Sequence, residues 1–312
     1  MEFKKALVTG GAGFIGSYLS RALLQRGIEV VIVDNLSTGK RENVPAGARF
    51  IQGDILDSNL IERLILEIDI VFHEAACVSV RSSVSNFYQD AQNNIMGTLN
   101  LLRACAKSKV KKFVYASSMA VYADSLEPVP IKETYCTEPL SPYGIAKLAS
   151  EKYCLTITKE LGIECAVLRY FNIYGRGQSF SPYVGVITIF IRQLLAGEIP
   201  VIFGTGEQRR DFVHVEDVVD ATLRAMDNSG PSEIFNVGTG AGISVKKLAS
   251  LLCSKINPSL IPSHVKEHPG EIKNSIADIS KAHALLRYSP QGRLEELMGE
   301  IITWNSSTMH TR

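Results

Sequence analysis

The chain lacks an excess of charge of either sign. Its 33 Lys and Arg residues and 32 Asp and Glu residues give a formal net charge of +1 at pH 7. Nucleic acids and anionic membranes attract strongly basic proteins, so neither is expected as the main partner. No apolar run approaches the ~20 residues of a membrane span. The first residues show no signal-peptide pattern, and we therefore expect no membrane partner.

Cysteine is also scarce and scattered. The six Cys residues form no CxxC pair and do not cluster with His, so no metal site is predicted. Single cysteines of this kind are typically small buried hydrophobic residues in a reducing compartment, which favours the cytoplasm. The 312 residues contain no repeat or long linker, and they suffice for one large domain or two modest ones.

What the chain does have is a glycine-rich turn between an apolar strand and a helix. The pattern predicts a strand at 5–9, a helix at 17–26 and a buried strand at 28–33. Gly10 to Gly16 between them fit both GxGxxG and GxxGxxG. Such glycines let the backbone approach a pyrophosphate at a helix N-terminus. The segment therefore predicts a dinucleotide site.

Asp34 ends the second of these strands. A carboxylate there hydrogen-bonds a ribose diol and repels a 2′-phosphate, which favours NAD over NADP. Lys40 and Arg41 lie just beyond and could soften that preference, although a solvated loop is the simpler interpretation.

Strands and helices alternate up to residue 172. Further strands are predicted at 49–53, 69–73, 112–116 and 163–169, with a long helix over 85–107. Ligands of parallel sheets bind beyond the carboxyl ends of the strands. The residues that follow these strands should therefore share one edge: Asp34, Asp54, Ala76 and Ser118.

Two polar residues near this edge have open roles. His73 could be a ligand or a base, but a buried, hydrogen-bonded structural histidine is the better interpretation. Asn94 could reach inward to the backbone or the cofactor, or face solvent.

The segment Ser141-Pro142-Tyr143 begins a predicted helix, with a capping Ser and a Pro at its first position. Tyr143 and Lys147 are four residues apart and share one helical face. A phenol titrates near pH ~10, and a fixed ammonium beside it lowers that pKa. The pair could take a proton from an alcohol, but an isolated YxxxK is common and carries weight only in context.

After residue 172 the regular alternation breaks. Helices are predicted near 186–196, 218–226, 245–254 and 294–304, strands at 210–215 and 234–237, and a frayed tail from Asn305. We predict an α/β fold, a Rossmann-type doubly wound parallel sheet with a smaller mixed α/β C-terminal domain. Residues 1–172, with returning elements around 210–240, would bind NAD; residues 173–209 and 241–312 would form a substrate-binding cap.

Together the motifs resemble the extended short-chain dehydrogenases/reductases, in their NAD-dependent sugar epimerase/dehydratase group, and most of all the UDP-glucose (UDP-galactose) 4-epimerase branch. The similar segments follow the family's order over nearly the whole chain: TGGAGFIGSYL, VDNLSTGK, HEAA, NNIMGTLNLL, SSMAVY, SPYGIAK, LRYFNIYGRGQ, RDFVHVEDVVDA and NVGTG.

The resemblance implies NAD as cofactor, a UDP-sugar as substrate and a homodimer formed by helices 85–107 and 143–161. The implied catalytic residues are Ser118, Tyr143 and Lys147. The implied NAD-binding residues are Gly10, Gly13, Phe14, Ile15, Gly16, Asp34, Asn35, Ser37, Thr38, Gly39, Asp54, Ile55, Ala75, Ala76, Asn94, Ser117, Tyr143, Lys147 and Tyr170. The substrate would be bound by Arg81, Ser118, Asn172, Arg210, Glu271 and Ser275.

The implied reaction is 4-epimerisation of a UDP-hexose through a transient 4-keto sugar, with Tyr143 as the base. Dehydratases of the group usually carry an acid soon after the active Ser, where this chain has Met119-Ala120. That argues against a 4,6-dehydratase. A UDP-glucuronate 4-epimerase stays open, since Arg81 could pair with a carboxylate. Non-catalytic dinucleotide-sensing relatives tend to lose the Tyr or the Lys, and both are present.

Two positions depart from the family pattern. Where relatives carry Arg before a PGD or PGE segment, this chain has His268, which cannot supply a permanent guanidinium fork to phosphate. Glu271 just beyond could still accept a hydrogen bond from a ribose hydroxyl. A position near Ser275 gates the sugar's C2 substituent in epimerases. The small Ser275 therefore predicts that UDP-GlcNAc and UDP-GalNAc also fit.

Overall fold

The computed structural model describes residues 2–178, 185–267 and 272–309. The first part of the chain contains β1 (Lys5–Thr9), α1 (Phe14–Gln25), β2 (Glu29–Asp34), β3 (Arg49–Gln52), α2 (Ser58–Ile65), β4 (Ile70–His73), α3 (Val80–Ser85), α4 (Phe87–Ala91), α5 (Gly97–Cys105), β5 (Lys112–Ser118), α6 (Pro142–Glu160), β6 (Glu164–Tyr170) and β7 (Asn172–Tyr174). The second contains α7 (Val186–Leu195), β8 (Val201–Phe203), β9 (Arg209–His214), α8 (Val215–Asp227), β10 (Glu233–Val237), β11 (Gly242–Ser244), α9 (Val245–Ile256), β12 (Ser263–Val265), β13 (Asn274–Ser275), α10 (Ser280–Leu286) and α11 (Leu294–Met309).

Seven parallel strands form the central sheet, in the order β10-β6-β5-β4-β1-β2-β3. Its inner strands are rich in Val, Ile, Leu and Phe and are buried on both faces, as expected for a parallel sheet, whereas the edge strand β3 is partly exposed. One hydrophobic cluster joins the sheet to α1 and α8, and a second joins its other face to α2, α5 and α6. The predicted doubly wound α/β fold is confirmed.

The strand order reverses between β1 and β4, which lie side by side. A crevice for ligands opens beyond the carboxyl ends of the strands at such a switch point. Here that edge carries the turn after β1, Asp34 at the end of β2, Glu74 after β4 and Ser118 at the end of β5. The sequence elements with candidate chemistry therefore meet at one edge.

A smaller second sheet contains β11, β9 and β13, with β7 paired to β9. Its hydrophobic cluster is built from α7, α9 and α11. α8 packs on α1, and β10 joins the central sheet, whereas Arg209–His214 lies in the small sheet. The division of the chain into two domains stays a prediction. No helix in the described ranges is long and apolar enough to cross a membrane.

Two local predictions need correction. The helix predicted over 85–107 is α4 and α5 joined by a π-helical turn, Gln92–Met96. The chain from Asn305 to Met309 is not frayed but continues α11, because this helix packs on α7 and Arg192 donates to Thr308. Asn305 is buried there, and its amide donates to the Ile301 carbonyl.

Candidate active site

The start of α6 fixes the position of Tyr143. Ser141 caps the helix, its Oγ accepting from the Gly144 amide at 3.1 Å, and Pro142 occupies the first turn. A Cβ on Gly144 would lie 2.2 Å from the Ala120 carbonyl oxygen. Only glycine allows this close contact between the helix and the turn that follows Ser118. Gly144 was not among the predicted site residues, although a glycine in a helical first turn is an unfavourable choice that signals such packing.

Tyr143, Lys147 and Ser118 are brought together as predicted. The Lys147 ammonium donates to the Ala116 carbonyl at 2.8 Å and lies 5.9 Å from the centre of the Tyr143 ring. Burial lowers the pKa of Lys147 to about 8, although Glu74 opposes that shift. Burial raises the pKa of Tyr143 to about 12, while a hydrogen bond with the Ser118 hydroxyl lowers it. Tyr143 therefore needs added positive charge nearby before it can ionise at neutral pH.

The turn after β1 forms a cradle suited to a pyrophosphate. Gly10 has a φ of 70°, and a Cβ on it would lie 2.7 Å from the Ala75 amide nitrogen. A Cβ on Gly16 would lie 2.3 Å from the Gly10 carbonyl oxygen. In the part of the chain that the structure describes, no side chain caps α1 at Gly13, and its first turn holds no acid. The free N–H groups and the helix dipole favour an anion there.

Asp34 lies at the centre of the neighbouring loop. Its two carboxylate oxygens accept from the amides of Ala12 (3.0 Å) and Leu36 (2.8 Å). A carboxylate has about four acceptor sites, so a ribose diol can still be bound. Gly39 packs on this carboxylate, and Asn35 donates to Asp54 at 2.9 Å. The Ser37 amide donates to Asn35 Oδ1 at 3.0 Å, and contact of Asn35, Ser37 and Thr38 with the cofactor stays a prediction.

Three predicted cofactor residues have protein partners for their polar side chains. Asn94, in the π-helical turn, bonds both the amide and the carbonyl of Cys77. Ser117 donates to Glu151, and Tyr170 donates to Glu74. Their polar groups are therefore bound to other residues of the protein. Asn94 takes the backbone role that the sequence left open, and direct contact of the three with the cofactor stays a prediction.

Two other predicted cofactor positions are small or apolar. Ile55 is buried against Gly97, where a Cβ would lie 2.4 Å from its Cδ1. Ala75, which Ala76 follows, donates its amide to the Thr9 hydroxyl at 3.2 Å. Ile55 thus packs on the first residue of α5, and Ala75 is held at the end of β1.

His73 is a structural histidine. Its Nδ1 lies 2.8 Å from the Thr9 hydroxyl and its Nε2 lies 2.9 Å from the Thr98 hydroxyl. Burial lowers the pKa of His73 to about 3. Both nitrogens are used inside the core, so the interpretation as a ligand or base is wrong.

His73 should make the protein less stable in acid. Between pH 6.5 and 3 the unfolded chain protonates His73 and the folded chain does not, so this contribution falls as pH falls. Glu74, whose pKa burial raises to about 7, acts in the opposite direction. In His73→Leu the loss of stability in acid that His73 causes disappears, whereas the opposite effect of Glu74 remains. From pH 7.5 to 5 the variant should gain about 2 kcal/mol of unfolding free energy relative to wild type.

Urea unfolding at the two pH values measures this difference. His283→Leu, at an exposed position of α10, is the control and should keep the wild-type pH dependence. If His73→Leu and wild type lose stability in parallel, then His73 is not held neutral by its burial.

Three of the predicted substrate residues meet in the small sheet. Asn172 donates to the Asp211 carbonyl at 3.3 Å and to the Ser275 hydroxyl at 3.4 Å. Ser275 is fully buried and is paired in register with Arg210. Arg210 donates to the carbonyl oxygens of Arg209 and Lys273.

The remaining substrate predictions fall elsewhere. The exposed Arg81 guanidinium lies 5.7 Å from the centre of the Phe203 ring. Its observed partner is thus an aromatic side chain of β8. His268 and Glu271 lie outside the described residues.

Asp211 is a site residue that the sequence did not reveal. Its buried carboxylate accepts from the amides of Thr239, Gly240 and Ala277, at 2.8, 2.9 and 3.1 Å, and from the Thr239 hydroxyl. It therefore ties β9, which carries Arg210, to the loop after β10 and to the end of β13. Its only sequence signal was its place beside Arg210.

The model of the NAD dependent epimerase/dehydratase family matches residues 6–238. The chain belongs to this family. Its members include a UDP-glucose 4-epimerase of Thermotoga maritima with UDP-glucose; the two are 40% identical, the match covers 98% of this chain and 99% of that one, and the TM-score is 0.94.

Two further solved structures of the family are similar over nearly their whole length. A UDP-N-acetylglucosamine 4-epimerase of Methanobrevibacter ruminantium is 36% identical, with 99% and 100% of the two chains covered and a TM-score of 0.92. A UDP-glucuronic acid 4-epimerase of Bacillus cereus, in complex with NAD, is 34% identical, with 97% and 99% covered and a TM-score of 0.90. The epimerase relatives thus differ in the sugar that they take.

Proposed function

We propose that this NAD-dependent epimerase interconverts the C4 epimers of a UDP-hexose, UDP-glucose and UDP-galactose, through a transient 4-keto sugar. The observation that carries the proposal is the grouping of Ser118, Tyr143 and Lys147 at the sheet edge that also carries the glycine cradle. Met119 and Ala120, in the turn after Ser118, supply no acid for an elimination. The resident chemistry is therefore removal and return of a proton at one hydroxyl.

Each catalytic side chain has one task in this reaction. Tyr143 accepts the proton of the sugar's 4-hydroxyl, and Ser118 hydrogen-bonds the same oxygen. Lys147 supplies part of the positive charge that favours the phenolate. Bound NAD would supply the hydride acceptor and donor at C4, so that hydride can return to the opposite face of the keto sugar. The buried site keeps water away from that intermediate.

The nucleotide end of the substrate fits the small sheet. Arg210 can hold two diphosphate oxygens with its planar guanidinium, and Asn172 lies on the adjacent strand. A cavity of about 290 Å³ lies beside them and is lined by Leu126, Phe203, Gln208, Lys273 and Asn274 among others.

Incubation with UDP-glucose, UDP-GlcNAc and UDP-glucuronate, followed by NMR of the anomeric protons, tests the proposal. A product inverted at C4 without loss of water supports epimerisation, and the substrate turned over fastest identifies the sugar. Loss of water would instead indicate a 4,6-dehydratase. Absence of turnover together with bound NAD, seen by absorbance, would indicate a dinucleotide-sensing protein.

N-acetylated sugars are the second candidate substrates, because Ser275 is small and lies beside Asn172. Ser275→Tyr should lower turnover of UDP-GlcNAc by ~10-fold or more while UDP-galactose is still converted, since the added ring would occupy the space of the C2 substituent. Ser275→Ala, which stays small, is the control and should retain both activities. Unchanged turnover of the N-acetyl sugar in Ser275→Tyr would refute the gate.

We also propose that the protein is cytoplasmic, because its six cysteines are free, as is usual in a reducing compartment. We further propose that it forms a homodimer. The contiguous elements from α3 to α6 expose large apolar side chains: Val84, Phe87, Tyr88, Met96, Ile145 and Tyr153. Light scattering should therefore give twice the chain mass, and a Phe87→Glu/Tyr88→Glu variant should be monomeric. A wild-type monomer would exclude this interface.

A further inference from the structure

Directly behind the catalytic residues lies a buried ion pair between Glu151 of α6 and Arg169 of β6. The side chains are 0% and 2% exposed. Arg169 Nε donates to Glu151 Oε1 at 2.9 Å and Nη2 donates to Oε2 at 2.7 Å. Burying two charges is costly, and an apolar pair of similar volume would often be at least as stable. A contribution to stability alone is thus a weak explanation for an ion pair at these two positions.

The pair has further partners on two segments, β5 and the loop between β5 and α6. The Ser117 hydroxyl donates to Glu151 Oε1 at 2.5 Å. Arg169 Nη1 donates to the Glu133 carbonyl at 3.0 Å, and its guanidinium lies 4.7 Å from the centre of the Tyr122 ring. Ser117 and Arg169 are paired in register on β5 and β6. One ionic cluster therefore connects two strands, α6 and the loop between β5 and α6.

Ser117 and Glu151 lie on the two elements that carry the catalytic residues. Ser117 precedes Ser118 on β5. Glu151 lies one helical turn after Lys147 and two after Tyr143 on α6. Tyr122 and Glu133 belong to the segment that connects Ser118 to Tyr143. The distance between the Ser118 hydroxyl and the Tyr143 phenol is thus set by elements that this cluster holds together.

We propose that Ser117, Glu151 and Arg169 form a positioning clamp that sets the Ser118–Tyr143 geometry of the proposed epimerase. The inference rests on that proposed function. A bidentate guanidinium–carboxylate pair fixes direction as well as distance, which an apolar contact cannot do. Misplacement by about 1 Å can lower a rate ~10²-fold. These three are positioning residues, because none of them touches the reacting atoms.

Ser117→Ala in the NAD-loaded protein is the decisive variant. Replacing Glu151 or Arg169 would leave an unpaired buried charge and could prevent folding. Ser117→Ala keeps the ion pair and removes only the hydrogen bond that connects Glu151 to β5. We expect kcat to fall ~10-fold with KM, NAD content and Tm close to wild type. Ser117→Thr, which restores a hydroxyl, should recover most of the loss.

Thr158→Val is the matched control. Its buried hydroxyl, also on α6, donates to the Cys154 carbonyl at 2.6 Å and is remote from the clamp. It should leave kcat near wild type. The clamp is refuted if Ser117→Ala keeps full kcat, or if its loss of kcat follows a loss of NAD or of Tm.

A substrate-free measurement separates this inference from the proposed function. The ionisation of Tyr143 can be followed by ultraviolet difference between each protein and its Tyr143→Phe counterpart. The groups acting on the phenol are Ser118 from β5, Asp90 from α4 and Lys147 from α6. Loosening Ser118 should move the midpoint of Ser117→Ala upward. If wild type epimerises no UDP-sugar, this shift alone supports the clamp, and an unshifted midpoint refutes it.

Discussion

Replacing Tyr143 by Phe should lower turnover of the UDP-sugar by at least ~10³-fold while NAD stays bound and the fold is unchanged. The phenyl ring keeps the packing of the buried side chain, so the variant removes only the phenolic oxygen that we propose as the proton acceptor. Steady-state kinetics with UDP-galactose measures the loss, and absorbance of the purified protein reports the cofactor. Activity within ~10-fold of wild type would exclude Tyr143 as the base.

Tyr174→Phe is the matched control for this variant. Tyr174 is also buried, and its hydroxyl has no hydrogen-bond partner among the described residues. Its removal leaves no donor or acceptor unpaired, so turnover and stability should stay near wild type. A comparable loss in both variants would indicate a general effect of removing a buried phenol rather than catalysis by Tyr143.

The fold could be predicted largely because its signals are local. The glycine turn, the buried apolar strands and the acid at the end of β2 each act over a few residues, and they agree with one another. The π-helical turn at 92–96 could not be predicted, since one extra residue in a turn barely changes the apolar period. The sequence did not predict the helical end of α11. That end is stabilised by packing on α7, and its short polar side chains give no sign of such packing.

In the site, too, features that depend on neighbouring residues could be predicted, and features that depend on distant residues could not. Tyr143 and Lys147 share a helical face, and the spacing shows it. Ser117 and Ser118 are adjacent on a strand, so they point to opposite faces, and the sequence does not say which one faces the substrate. Asp211 and the Glu151–Arg169 pair depend on partners distant in sequence, and no periodicity reveals them.

Lys147→Met should separate activity from stability. Turnover should fall by ~10²-fold or more, because the phenolate of Tyr143 loses its nearest cation. The ligand-free protein should nevertheless become more stable at pH 7, by roughly 1–2 kcal/mol. Burial of the ammonium costs on the order of 3 kcal/mol, as its lowered pKa indicates, and the lost hydrogen bond to Ala116 returns only about 1 kcal/mol of that.

The pH dependence of this gain identifies its cause. The pKa of Lys147 is 10.5 in the unfolded chain and about 8 in the folded one, so the unfolded state binds the extra proton between these values. Lys147 therefore destabilises the folded protein fully below pH 8, and the penalty disappears as pH rises towards 10.5. Urea unfolding of both proteins at pH 7 and pH 10 should show the advantage of Met shrinking with pH. A Met variant that is less stable than wild type at pH 7 would show that the ammonium is better solvated in the folded protein than its burial implies.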